Sequence, residues 1–167
     1  MWLVNGVKLV AGPVADHPVG PFRAELQDWI AVRIAIPTEE HTERRVAMTP
    51  QIARRLIEID HHVVVEPGLG DAAGFPDDAY RAEGVEVRSN PCDGADLILM
   101  VGPPSPEKAS GLPTGSALVG FLDPFASPDL VRTLTERRLT AFAMEAIPRT
   151  TLAQSMDCLL YTSDAAD

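Results

Sequence analysis

The sequence predicts an α/β domain of three layers, a mostly parallel sheet flanked by helices. Three observations carry this expectation. From residue 32 onward short apolar runs alternate with helical patterns; the runs are four or five residues long and rich in β-branched side chains; and two of the helical stretches open with Pro directly behind Ser or Thr. Such alternation is what βαβ units produce, because each helix carries the chain back to begin the next strand at the same edge.

Residues 1–31 read as a leader outside this alternation. Residues 12–21 form a Pro/Gly-rich run suited to a loop, and residues 22–30 a short amphipathic stretch. The leader lacks a basic front end followed by a continuous apolar core, so it is no secretory signal. A valine codon can start translation in bacteria, which makes Val32 the expected first residue and residues 1–31 an over-called start or a poorly ordered extension. The main domain then spans 32–157. Its first strand covers 32–36 by β-branched content. A helix follows at 50–59 with Thr49 as N-cap and Pro50 in its first turn. Strands are expected at 62–66, 85–88, 97–101, 117–121 and 140–143, with further helices at 76–83 and, behind Ser127-Pro128, at 128–137. There are no internal repeats.

Composition narrows the function. The 167 residues suit one globular domain, and a domain of this size buries roughly 70% of its unfolded surface. A net charge of -10, with 14 basic against 24 acidic residues, argues against a nucleic-acid partner, since phosphate binding needs clustered Lys and Arg. The two cysteines, Cys92 and Cys158, have no metal-type spacing and fit a reducing, cytoplasmic setting. His61 and His62 have no third ligand nearby, so no metal is expected. The longest apolar run, 97–101, is far short of the roughly 20 residues that cross a bilayer.

One motif is a decoy. Gly68-Leu69-Gly70-Asp71-Ala72-Ala73 formally matches the G-x-G-x-x-A phosphate fingerprint behind a strand, with Glu86 near the place of a ribose-binding acid. A true fingerprint needs its third small residue inside a helix whose amino end faces the pyrophosphate. Gly74-Phe75-Pro76 interrupts here, so the helix starts too late. The expected reading is a turn lining a cleft.

Other motifs are more specific. Ile36-Pro37-Thr38-Glu39, then Glu43-Arg44-Arg45-Val46-Ala47-Met48-Thr49-Pro50, then Glu66-Pro67-Gly68-Leu69-Gly70 with Ala73-Gly74-Phe75, and finally residues 96–101 and 148–157 resemble the alanine dehydrogenase/transhydrogenase N-terminal domain family. The resemblance covers 32–157, with the loop between Glu39 and Glu43 one residue shorter than usual. It implies a flavodoxin-like, Rossmann-like fold and use of nicotinamide nucleotides. The two branches of the family differ in chemistry. An amino-acid dehydrogenase forms and reduces an imine, so it moves protons and needs a Lys and a His beside its substrate. The resemblance places that Lys where this chain has Gly102 and that His where Asp123-Pro124 stands. A proton-translocating NAD(P) transhydrogenase passes hydride between two nicotinamides and needs alignment rather than an acid or base.

The spacing Arg149, Gln154, Asp157 resembles the transhydrogenase loop that approaches the nicotinamide end of bound nucleotide. Arg can fix a carboxamide or ribose oxygen, and Gln both donates and accepts. On pattern alone the favoured reading of Thr151-Leu152-Ala153-Gln154 is a capping box, of Asp157 a solvated helix residue, and of Arg149 a surface cation paired with Glu145; the wider resemblance reverses that preference. Arg45 falls where alanine dehydrogenases bind substrate carboxylate, although a structural role is preferred because a transhydrogenase has no such substrate. Asp123, at the carboxyl end of a predicted strand, is a secondary cleft candidate.

Residues 158–167 can be encoded by nucleotides that resemble a transposon end with adapter, so a non-native tail is expected there. The transhydrogenase resemblance further implies NAD(H) as cofactor, with NADP(H) on a partner subunit. It implies a second copy of the soluble domain, a β subunit and a membrane domain as partners, and a cytoplasmic location at the inner membrane. The family's Asp-x-x-Ser continuation has Leu160 in place of Ser, and no later G-x-G-x-x-G follows. The expectation is that the 167-residue chain alone binds NAD(H) weakly or not at all.

Overall fold

The computed structural model describes residues 2–4, 7–9, 31–40 and 43–147. Two short strands, β1 (Trp2–Val4) and β2 (Val7–Leu9), pair antiparallel in a two-stranded sheet separate from the main one. The sequence reading drew no strand there, yet Asn5-Gly6 between two short, largely apolar runs is a hairpin signal.

The main sheet has six strands: β3 (Arg33–Ile36), β4 (His62–Val65), β5 (Glu86–Val87), β6 (Leu97–Leu99), β7 (Ala117–Gly120) and β8 (Thr140–Ala143). They lie in the order β5-β4-β3-β6-β7-β8, and every pairing is parallel. The chain therefore builds outward from β3 to one edge, then returns to the centre at β6 and builds toward the other. The crevice between the ends of β3 and β6 is the topological switch point.

Helices α1 (Pro50–Ile57), α2 (Asp77–Ala82), α3 (Pro106–Ser110) and α4 (Pro128–Glu136) supply the outer layers. Side chains alternate along β3. Ile34 and Ile36 pack with Val63, Val65, Ala53 and Tyr80 on the side of α1 and α2, whereas Ala35 faces Ile98, Leu118, Leu130 and Leu134 on the side of α4. Two apolar cores, one per face, make the three layers that the alternation predicts. Burying each of these Ile, Leu and Val side chains contributes roughly 1.5–3 kcal/mol relative to exposure.

Three local expectations need correction. Thr49 and Ser127 sit at the N-caps of α1 and α4, but neither side chain caps. Their carbonyls do the work instead: Thr49 O accepts Ile52 N and Ala53 N, and Ser127 O accepts Val131 N. The third is α3, absent from the sequence reading because five residues are too few to show a helical period. Its start carries the same Ser-Pro pair, and there Ser105 does cap, accepting Lys108 N at 3.2 Å.

Candidate functional site

Every strand of the main sheet runs to the same edge, and the segments leaving that edge carry acids. β3 ends at Ile36 and continues through Pro37-Thr38-Glu39-Glu40, three of whose side chains tie three neighbouring segments. Thr38 donates from its amide and its hydroxyl to Glu66 Oε2, at 2.7 and 2.8 Å, and Glu66 is the residue that follows β4. Glu39 reaches the opposite way, across the switch point. Its Oε1 accepts Val101 N at 2.6 Å and its Oε2 accepts Gly102 N at 3.1 Å, both behind β6. Glu40 accepts Ser105 N at 2.5 Å and the Ser105 hydroxyl at 3.0 Å, at the start of α3. Lys108 returns from α3, donating its Nζ to Thr38 O at 2.5 Å. Farther along the edge Glu145, behind β8, accepts Leu122 N at 3.3 Å and Asp123 N at 2.5 Å, behind β7.

Backbone amides at such an edge are the groups an open α/β sheet usually presents to an anionic ligand. Here several of them already hold the chain's own carboxylates. Burial raises the Glu39 carboxyl above its usual 4.5, opposed by the Val101 and Gly102 amides and the Lys108 charge, with Glu43 adding to the rise. Glu43 behaves oppositely: the Arg45 guanidinium beside it holds its carboxyl at about 2. Burial pushes the Cys92 thiol up to about 11, so at neutral pH it is a thiol and no nucleophile. An open groove of about 380 Å³ lies between the starts of α3 and α4, with Pro103, Pro106, Ser127 and Pro128 among its lining residues.

The residues singled out from sequence fare differently. Arg149, Gln154 and Asp157 lie outside the described residues, as do residues 158–167 and most of the leader. Arg45 is on the segment between β3 and α1, its side chain 70% exposed, and it grips Glu43 in a two-bond pair at 2.9 and 2.7 Å. Asp123 is exposed at the carboxyl end of β7 with a left-handed φ of 43°, held by the Glu145 carboxylate on its amide. The Glu145 carboxylate, expected beside Arg149, thus has backbone partners in the β7 segment. Gly102 and Asp123 follow adjacent strands, joined where Phe121 N donates to Val101 O at 3.0 Å.

The decoy resolves as a turn. Asp71–Ala73 is one turn of 3-10 helix, Gly74 has φ 83°, and α2 begins only at Asp77. Gly70 is required for packing, since a Cβ there would meet Phe75 O at 2.2 Å and Tyr80 Cε2 at 2.9 Å. Sequence reasoning missed Glu39, Glu40 and Glu66 as a linked group, and Glu145 farther along the edge. Their signal was present, because Glu39, Glu40 and Glu66 stand within a few residues of a strand's apolar run. Among the described residues no group of three or more His, Cys, Asp and Glu side chains could hold a metal ion.

Comparison with known proteins fits this architecture. The family model for the alanine dehydrogenase/PNT N-terminal domain matches residues 35–166. The NAD(P) transhydrogenase subunit alpha of Cereibacter sphaeroides is 40% identical over 127 residues, which are 74% of this chain and 24% of that protein. Alanine dehydrogenase of Bacillus subtilis is 34% identical over 117 residues, 68% of this chain and 31% of the relative. The crystal structure of transhydrogenase from Sinorhizobium meliloti superimposes with a TM-score of 0.68 at 32% identity, covering 75% of this chain and 39% of that one. The chain thus spans well under half the length of these relatives, and within that span it belongs to the alanine dehydrogenase/PNT N-terminal domain family.

Proposed function

We propose that this chain is the amino-terminal part of the soluble domain of an NAD(P) transhydrogenase α subunit, which in the whole enzyme walls the nicotinamide end of NAD(H) during hydride transfer to NADP⁺. The observation that carries the reading is the pair Gly102 and Asp123. They follow neighbouring strands at one edge of the sheet, where the family resemblance puts a Lys and a His in amino-acid dehydrogenases. Glycine offers no proton and no ammonium, and a carboxylate is a poor substitute for a neutral imidazole near pH 7. Hydride transfer between two nicotinamides requires neither group. The greater identity to a transhydrogenase subunit than to an alanine dehydrogenase points the same way.

The described residues fit one end of the nucleotide only. The Val101, Gly102, Leu122, Asp123 and Ser105 amides are engaged by Glu39, Glu145 and Glu40, which leaves an acidic rim unsuited to a pyrophosphate. Phosphate binding falls in this reading to a second domain with a Gly-rich helix N-terminus, and this domain faces the nicotinamide end, which carries no negative charge. Arg149 would hold a carboxamide or ribose oxygen, Gln154 would donate to and accept from the same group, and Asp157 would complete the contact. Hydride donation and acceptance are the cofactors' own chemistry; the protein contributes alignment and exclusion of water.

NADP(H) belongs in this reading to a β subunit, with a second copy of the soluble domain and a membrane domain completing the complex at the cytoplasmic face of the inner membrane. None of the helices among the described residues is long and apolar enough to cross a membrane. The test is to prepare membranes containing the complete α subunit that carries this sequence, with its β partner. NADH should reduce an NADP⁺ analogue, and L-alanine should not reduce NAD⁺; alanine-dependent reduction without transhydrogenation would overturn the assignment.

A further inference from the structure

We infer that Glu39 is a positioning residue: its carboxylate is the built-in occupant of a two-amide carboxylate site at the switch point, and this contact fixes the Val101–Gly102 segment against the end of β3. Three observations converge. Both carboxylate oxygens are used, one per amide, at 2.6 and 3.1 Å, and the amides belong to consecutive residues. Two adjacent N–H groups aimed at one carboxylate form a two-donor anion site, each bond strengthened by the charge of its acceptor. The bond closes the crevice that strand order marks as the ligand position, joining β3 to β6 at the one place where the sheet reverses its direction of growth.

The neighbours hold Glu39 in place from both sides. Thr38 is anchored to Glu66 and to Lys108 Nζ, and Glu40 to Ser105, so the residue between them has little freedom. Gly102 completes the fit: a Cβ built there would lie 3.8 Å from Glu39 Oε2, which puts any larger side chain at this position beside the half-buried carboxylate. The charged groups that bear on Glu39 are Lys108 from α3 and Glu43 from its own segment. Small carboxylates are the ligand class this amide pair selects, and Glu39 excludes them by filling it. The geometry stands without the nicotinamide reading; only its consequence, a fixed wall for the ring, rests on that reading.

The experiment uses the whole 167-residue chain with amide NMR and formate or acetate as probe. In the parent protein the Val101 and Gly102 amide protons should titrate together with a midpoint above 4.5, and added acetate should not move them. Glu39→Ala should abolish that titration and shift both protons upfield. Acetate added to this variant should restore both shifts and raise its melting temperature, while chloride at equal ionic strength should not. Glu39→Asp, one methylene short, should leave at least one amide unrestored. The inference is overturned if the two amides titrate unchanged in Glu39→Ala, or if acetate acts on parent and variant alike. Should Glu39→Ala fail to fold, the parent titration decides, and independent or absent titration of the two amides rejects the site. NADH titration of the parent is a separate arm, whose outcome bears on the nicotinamide reading alone.

Discussion

Tyr80 is fully buried, and its hydroxyl donates to Met48 O at 2.9 Å, stitching α2 to the segment before α1. Burial pushes the phenol up to about 12, with the Asp77 charge adding to the rise, so the hydroxyl keeps its proton throughout the ordinary range. Tyr80→Phe leaves Met48 O without its partner and should cost about 1–2 kcal/mol, read from urea denaturation with an unchanged m-value. Gly70→Ala should cost more, because its Cβ would overlap a backbone oxygen rather than a movable side-chain end. Glu39 and Glu43 pull the pH profile in opposite senses. The raised carboxyl of Glu39 contributes stability that is present below 4.5 and lost as pH rises through its folded value, because ionisation is costlier in the fold than in the unfolded chain. Glu43, held at about 2, contributes the reverse, present above 4.5 and lost as pH falls toward 2, but the exposure of the Arg45 side chain lets solvent screen the pair. Between 4.5 and neutrality Glu39 is therefore the carboxyl to watch. Glu39→Gln should flatten the decline of melting temperature with rising pH in that window, and an unchanged slope would assign the decline elsewhere.

At the level of elements, strands were legible because their signal is chemical as well as periodic. Val63-Val64-Val65 and Leu97-Ile98-Leu99 can bury on both faces only inside a covered parallel sheet, and Val63, Val64, Val65 and Ile98 are essentially inaccessible. The starts of α1 and α4 were legible from Thr49-Pro50 and Ser127-Pro128, since Pro suits a position whose N–H lacks an intrahelical partner, whereas the same pair at Ser105-Pro106 was passed over. What the pairs could not tell was which hydroxyl caps. Only Ser105 does so, because Glu40 orients it from a loop 65 residues away in the chain, and no local pattern encodes such a partner. Ser105→Ala removes the cap and one of the two Glu40 bonds together, and should destabilise the protein by about 1–2 kcal/mol. Ile98→Ala, at the centre of the core shared by β6 and α4, should cost about 2–5 kcal/mol by calorimetry. A loss as large for Ser105 as for Ile98 would mean that the acid ties hold more of the fold than the packing does.

At the scale of the whole molecule, sheet order converts scattered sequence motifs into one edge. The Pro37–Glu40 segment, Glu66, the Val101–Gly102 pair and Asp123 are far apart in the chain, yet parallel strands deliver all of them to the same rim. The proposed function rests on what the described part of that rim holds: Gly102, the Asp123 carboxylate, and amides engaged by acids. Under the transhydrogenase proposal such a wall has only to align a ligand, with no proton moved at the reacting carbons. That argument predicts how the polar run at 148–157 should behave if it faces the nicotinamide. In the complete complex, Arg149→Ala should lower the rate of hydride transfer on the order of 10²-fold, the usual effect of misaligned reactants, and Arg149→Lys should recover little because a single ammonium cannot reproduce a planar fork of donors. The pH dependence of the remaining rate should match that of the parent, since no proton is moved at the reacting carbons. A shift of its midpoint by a full unit would mean that Arg149 tunes an acid or base, and with it the alignment-only reading of this edge would fall.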